Sequence, residues 1–398
     1  MLIHFPHLPL MVEFYFSSLT SFPKLENILL ALQHHDRVRC ISVCGWGLGD
    51  VPATRKVLMA LDKAFPTLEA LSLQSGNNYT TRGLPDNFVA PQLRSLHLRN
   101  VTISAESLLL ISATNVVSLQ IEQFPPFVDL DPRNVAMLLS SLPQLESLSI
   151  FFSFYPVPMA TWERTQITRV VLPRLWRFKC QGHVGYLEDL LALINTPLLQ
   201  YFHVACFWQS TLSFPPMSEV IGAIRDLDFR TAEVSIDLND VQIAFHSVQP
   251  SVSLPSFTFT FHSVHSRSEF VPMVQICSAI PALPPVKGLV LNSKPKICNE
   301  HWYSILQLFS GVRTLRTEAS LAADLSDALR QGDGEVMKKL LPMLSKLVIV
   351  SKDDLVDGPI VSLIHELCLL GHHIDLQVVK EHPPPNPRHH VLHNSPVF

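Results

Sequence analysis

The chain has 398 residues, 47% apolar and only 16% charged, a balance that excludes a disordered polymer and leaves ample side chain for a buried core. A net charge of −4 argues against backbone-driven nucleic-acid binding, which needs clustered Lys and Arg. Seven cysteines, scattered without a close framework, argue against a disulfide scaffold and predict reduced thiols in the cytoplasm or nucleus.

Residues 1–36 read as a helical cap, with the apolar helix LENILLAL from Leu25 to Leu32. The apolar start MLIHFPHLPLMVEFYF is not read as a signal peptide: it has no basic n-region, contains Glu13 and shows no small-residue cleavage site. From Arg37 a phrase recurs, Pro-x-Leu-x-x-Leu-x-Leu. It stands as PTLEALSL from Pro66, PQLRSLHL from Pro91 and PQLESLSI from Pro143. Weaker copies begin at Pro173, Pro197, Pro284 and Pro342, and copies without the proline end at Val43, Ile121 and Thr317.

In each copy the last two apolar residues alternate with a polar one, as in a strand with one buried face. The proline suits the loop edge, since it cannot donate to a ladder. Between phrases the period turns helical: Val57, Leu58, Leu61 and Phe65 share one stripe of VPATRKVLMALDKAF, and PRNVAMLLSSL, GYLEDLLALI and HWYSILQLF follow the same rule. The equivalent positions Leu71, Leu96, Leu119, Leu148, Phe178 and Phe202 are separated by 25, 23, 29, 30 and 24 residues. Such periods predict an α/β fold: an irregular leucine-rich-repeat-like solenoid of strand–helix units over 37–380, forming a curved, mainly parallel sheet.

The pattern changes near 229–262, where AEVSIDL, DVQIAF and SFTFTF alternate on a two-residue period and predict a β-rich insertion of antiparallel strands. Leu190 to Ser218 and Val241 to Ser266 lack Asp, Glu, Lys and Arg, but prolines and polar residues interrupt both, so neither reads as a membrane span. Strand–helix units resume from Val286 to Ile374, and the proline-rich 381–398 reads as a disordered tail.

Taken in order, LENILLALQHHDRVRCISV, FPTLEALSL, APQLRSLHL, LLISATNVVSLQI, GYLEDLLALINTPLLQYFHVACF, FSGVRTLR and LPMLSKLVI resemble the mushroom-type fungal F-box proteins with leucine-rich-repeat-like bodies. The resemblance spans roughly Phe5 to Leu376. It implies a body that recruits a protein target for a cullin-type ubiquitin ligase, through an N-terminal F-box that docks on a Skp1-type adaptor. The opening phrase of such an F-box is only echoed by LPLMVEFYFSSL, with Met11 in the place of its Glu, and HFPHLPLMVEFY resembles the segment that follows the F-box. The resemblance therefore places the F-box upstream of Met1, with 1–36 as the post-F-box segment.

Several local patterns bear on chemistry. Gly45 to Gly49, in CGWGLGD, follows a strand and precedes a helix, the setting of a dinucleotide loop. Asp50 replaces the third glycine and suits a helix N-cap followed by Pro52, so the loop reads as a repeat connection. An α/β nucleotide-binding enzyme using that loop is the alternative function, and a strand-order reversal beside Gly47 would mark it. His365-Glu-Leu-Cys-Leu369 lacks the second His of a zinc helix, and Gly371 reads as the helix end. Cys40 and Cys44 read as thiols on one strand face, and His389, His390 and His393 as solvated tail residues. Asn78 and Asn100 open formal glycosylation sequons, which matter only for an extracellular repeat receptor. No cofactor, metal or catalytic set is expected, and neither nucleic acid nor a membrane is expected as partner.

The expected functional surface is the strand face opposite the leucines. It carries Ser72 and Gln74, His97 and Arg99, Gln120 and Glu122, Ser149 and Phe151, Lys179 and Gln181, and His203 and Ala205. Its mixed polarity suits a protein target better than a polyanion.

Overall fold

The repeated leucines stand in two continuous buried rows in the computed structural model, aligned from strand to strand. The structure describes residues 7–15, 22–46, 51–75, 83–123 apart from 102 and 105, 131–152, 169–207, 229–237, 240–247, 256–262, 286–293, 299–331, 340–351 and 358–380. The chain divides into two units. One comprises Met1–Asp228 with Asn239–Leu283, the other Phe229–Leu238 with Pro284–Phe398. Both are α/β, each with a mainly parallel sheet of strand–helix units.

In the first unit β1 (Leu10–Tyr15), β2 (Val38–Trp46), β3 (Ala70–Ser75), β4 (Ser95–Arg99), β5 (Ser118–Gln123) and β6 (Ser147–Phe152) lie side by side in chain order, all parallel. A short strand, β7 (Val170–Val171), pairs apart with β9 (Ile194–Asn195), while β8 (Arg177–His183) and β10 (Tyr201–Phe207) continue the main sheet. The next neighbour of β10 is the parallel β13 (Ser256–His262), followed by the antiparallel β12 (Asp240–Ser247). The connections carry α1 (Phe22–Gln33), α2 (Val51–Ala60), α3 (Leu108–Ser112), α4 (Pro132–Ser140) and α5 (Val184–Leu193).

Register follows the phrase. Ile41, Leu71, Leu96, Leu119, Leu148, Phe178, Phe202 and Phe257 align across eight strands, and Val43, Leu73, Leu98, Ile121, Ile150, Cys180, Val204 and Phe259 form the second row. All sixteen are buried. The first leucine of each phrase (Leu68, Leu93, Leu145, Leu175 and Leu199) is also buried, at the turn that leads into the strand. The residue after it donates its backbone N–H to the matching carbonyl of the preceding unit: Glu69 to Arg39 at 2.8 Å, Arg94 to Glu69 at 2.8 Å, Glu146 to Val117 at 2.8 Å and Gln200 to Trp176 at 2.9 Å. The turns are thus stitched like the strands, and their polar backbone is satisfied where the chain bends. Asp131 caps α4 by accepting from the Arg133 N–H at 2.7 Å, with Pro132 in the first turn. A Cβ built on Gly182 would approach Phe152 Cδ2 to 3.0 Å, so the Phe152 ring, edge-on to Tyr186 at 4.5 Å, occupies space that a larger residue at 182 would need.

The second unit aligns β11 (Phe229–Ile236), β14 (Gly288–Ser293), β15 (Thr314–Glu318), β16 (Lys346–Ser351) and β17 (Asp375–Lys380), all parallel. Its helices are α6 (Asn299–Gln307), α7 (Ala319–Gln331) and α8 (Gly358–Leu369). Ala232, Leu289, Leu315 and Leu347 continue the same kind of buried row, and Trp302, Ile305, Leu325 and Leu363 pack from the helices. A void of about 10 Å³ among leucines of this layer, including Leu315, Leu325 and Leu363, is apolar and too small for a ligand. The end of α8 is a Schellman motif: Gly371, at φ 91°, donates to the Cys368 carbonyl at 3.0 Å and His372 to that of Leu367 at 3.1 Å.

One expectation changes. Residues 1–36 are not only helical, because Leu10–Tyr15 forms β1: Val12 is buried while Met11 and Glu13 are exposed, and this alternation places Val12 beside Ile41. In the stretch expected to hold antiparallel strands, β12 is antiparallel to β13, and β11 runs parallel to β14 in the other unit. The tail 381–398 lies outside the described residues, as do Asn78 and the four positions Gly47 to Asp50.

Candidate functional site

Strand alternation aims every second side chain away from the leucine layer, and the parallel registers line these side chains up. One row runs Ser42, Ser72, His97, Gln120, Ser149, Lys179, His203 and Thr258. The adjacent row runs Cys44, Gln74, Arg99, Glu122, Phe151, Gln181, Ala205 and Thr260. The eleven residues expected from sequence, with Ala205, therefore share one face. Most are half-buried; Arg99 is exposed, and Ser149 and Ala205 are buried.

Two electrostatic regions lie on this face. Over β3 to β5, Ser72 Oγ and Gln74 Nε2 each stand 3.3 Å from His97 Nδ1, and His97 Nε2 stands 3.4 Å from Glu122 Oε1. Gln120 donates to the same carboxylate oxygen at 2.6 Å, and Arg99 Nε lies 3.5 Å from Oε2. Burial pushes the Glu122 carboxyl up, but hydrogen bonds from His97 and Gln120 and the positive charges of His97 and Arg99 outweigh it, leaving the group below its ordinary value. The serine–histidine–glutamate sequence invites comparison with a hydrolase triad. A hydrolase also needs donors aimed at an oxyanion, and backbone N–H groups of these strands serve the parallel ladder, while Gln74 Nε2 is spent on Ser72 at 3.2 Å and on His97. Among the described residues, the network orders side chains on the face, and the donors named above are engaged within it or in the ladder.

Over β8 and β10 the face is basic. Arg177 Cζ lies 4.8 Å from the Tyr201 ring centroid and Lys179 Nζ 5.7 Å from it. Burial pushes Lys179 below its ordinary value, and the Arg177 charge adds to this. Burial likewise pushes His203 down, joined by Lys179, His262 and Arg177. His262 Nδ1 meets Asp240 Oδ1 at 2.7 Å. Arg177 and Tyr201 were not singled out from sequence. The signal was present, since both precede Lys179 and His203 by one step of the same alternation.

The other candidates separate. Cys40 is buried and Cys44 half-buried on this face, and burial raises both thiols, Glu13 adding to the first, while Ser42 and Arg99 oppose it at the second. They are not activated nucleophiles. Burial pushes Cys180 up to about 12 and Cys206 well above its ordinary value, whereas Cys368 is exposed. Alkylation at pH 8, mapped by peptide mass spectrometry, should mark Cys368 within minutes and spare Cys180 and Cys206 until denaturant is added, because a thiol of pKa about 12 is only ~0.01% thiolate at that pH. Labelling of Cys180 at the Cys368 rate would contradict its burial. His365 is exposed on α8, and His372 is buried beyond the helix end, where burial lowers it against the pull of the Leu340 and Leu344 carbonyls, so the two imidazoles do not meet at a metal site. Asn100 is 3% exposed and its amide is engaged, so no sugar fits there. β2 lies between β1 and β3 in chain order, without the reversal that would open a nucleotide crevice beside Gly47.

No protein-family model matches the chain, and no curated protein matches it. Among solved structures it is similar to the leucine-rich-repeat-containing protein LegL7 from Legionella pneumophila, at 13% identity and a TM-score of 0.31, over 89% of this chain and 97% of that one. No helix among the described residues is long and apolar enough to cross a membrane.

Proposed function

We propose that this chain is a non-catalytic protein-interaction module acting in the cytoplasm or nucleus. Its role would be that of the target-recruiting body of an F-box ubiquitin-ligase subunit, which the ordered series of repeat phrases resembles. The observation that supports this reading is the alignment of polar and aromatic side chains in register across eight parallel strands, on the face turned away from the leucine layer. A ligase role would require a Skp1-type adaptor bound through an F-box encoded upstream.

The test is affinity capture from native extract with this chain, with a form extended upstream to any in-frame F-box, and with the Gln120→Arg/Phe151→Asp variant of each. The proposal expects the adaptor with the extended form alone, together with a co-captured protein that the face variant loses while it keeps the adaptor. An extended form that recovers no adaptor ends the ligase reading. Capture that is indifferent to the face variant ends the assignment of this face as the binding surface.

A further inference from the structure

We infer that the basic part of the face, Arg177, Lys179 and His203 around Tyr201, binds an extended acidic segment of the protein target, through carboxylates two residues apart. This rests on the reading of the face as a docking surface and names the chemistry of what docks.

Charge carries the first step. Arg177 and Lys179 project from one strand to the same face, and both approach the Tyr201 ring. Among the described residues neither has a carboxylate partner. The side chains in register with Lys179 on its two neighbours are Ser149 and His203, and Thr258 follows on β13, so this row offers hydroxyls and an imidazole but no anion. Arg177 likewise has Ser147 and Tyr201 beside it. Asp240 is held by His262 at 2.7 Å. Glu122 is held by His97, Gln120 and Arg99 on the other side of β6. Burial lowers Lys179 and His203, and the like charges beside them, which burial has partly stripped of water, add their repulsion. An incoming anion relieves the repulsion and forms charge-assisted hydrogen bonds in place of it.

Spacing carries the second step. Cations two residues apart on a strand are separated by roughly 6.6 Å at their Cα atoms, the distance between same-side residues of another extended chain. An acidic peptide laid along β8 therefore offers one carboxylate to Arg177 and the next to Lys179, with the half-buried Ser147 alongside as a hydrogen-bond donor. A phosphoserine presents one compact anion in place of two carboxylates at this spacing, and so serves as the competing ligand in the test.

The test uses fluorescence anisotropy with the purified full chain and three labelled peptides of one length: alternating Glu and Gly, the same with Gln for Glu, and the Gln peptide with one central phosphoserine. The acidic peptide should bind, the Gln peptide should not, and raising salt from 50 to 300 mM should weaken binding at least tenfold. Arg177→Gln and Lys179→Gln should each weaken it about tenfold. Lys179→Arg should restore most of the affinity, and Arg316→Gln, a cation exposed on β15, should leave it unchanged. Thermal melts of each variant separate loss of binding from loss of fold. Equal binding of the Glu and Gln peptides, indifference to both substitutions in folded protein, or binding of the phosphoserine peptide alone would overturn the inference. Were Gln120→Arg/Phe151→Asp still to abolish target capture in that case, the docking face would stand and only its acidic partner would fall.

Discussion

Phe202→Ala should destabilise the first unit by about 3–5 kcal/mol, the range for emptying a fully buried aromatic site. Phe202 has no exposed surface. Its ring stacks on Phe178 with centroids 5.5 Å apart and on Phe257 at 4.9 Å, and a third ring, Phe259, lies at 5.8 Å. The residue thus joins β8 to β13 through one continuous aromatic stack, and deletion removes several pair contacts besides the transfer term. The surrounding strands are held by ladders on both sides and cannot collapse far into the space. Phe202→Leu should recover more than half of the loss. The check is urea unfolding followed by far-ultraviolet dichroism, and a loss below about 1.5 kcal/mol for the alanine variant would show that the stack is not continuous in solution.

The second large effect is expected at Asn100. This residue ends β4 at φ 53°, in the left-handed region where asparagine is tolerated and alanine is strained. Its Nδ2 donates to the Ser75 carbonyl at 3.1 Å and its backbone N–H to the Glu122 carbonyl at 2.7 Å, so it fastens the ends of three successive repeats while only 3% exposed. Asn100→Gly keeps the backbone conformation and loses the amide hydrogen bond, which should cost about 1–2 kcal/mol. Asn100→Ala loses the same bond and adds roughly another 1–2 kcal/mol of backbone strain. The order is the informative part: alanine should unfold at lower urea than glycine, the reverse of what helix or strand propensity would give. Equal midpoints would mean that the left-handed conformation is not retained.

Much of the sheet was readable because one phrase carries both its position and its register. Leu71, Leu96, Leu119 and Leu148 were aligned by sequence alone, and the same residues are partners in the ladder. β1 escaped because the buried Val12 lies four residues after the leucine of Pro6-His7-Leu8, where the phrase has three, in a stretch whose apolar content suits a helix equally well. The exchange in order that places β13 beside β10 escaped for another reason. Alternation states which face of a strand is apolar, but not which strand it will join. Phe257 and Phe259 gain their place by extending the two buried rows beyond Phe202 and Val204, a match of side-chain size that appears only when the strands are side by side.

For the candidate face, alternation was enough to say which residues share it. It was not enough to say which of them touch. The pairing of Glu122 with His97 and Arg99 depends on side-chain rotamers and on the burial that the neighbouring strands impose, and the sequence lacks both. Arg177 and Tyr201 lie one residue before the first buried residue of their strands, Phe178 and Phe202, whereas the face expected from sequence starts one residue after it. Their place at the mouth of the strand belongs to the same alternation.

The stitching of each turn to the turn before it has a consequence for how such a chain can change over time. Because Glu69, Arg94, Val117, Glu146 and Trp176 occupy one recurring station, the molecule keeps count in whole repeats and ignores the number of residues between them. The unequal intervals from Leu71 to Phe202 are the record of that tolerance. A lineage can lengthen or shorten a connection freely, or duplicate an entire interval, and every strand still finds its neighbour. The loss of a single residue inside a strand has no such refuge, because it would turn a leucine outward and a polar residue into the core. Length is free between the stations and fixed within them, so new surface can be tried at the connections while the stack itself stays in step.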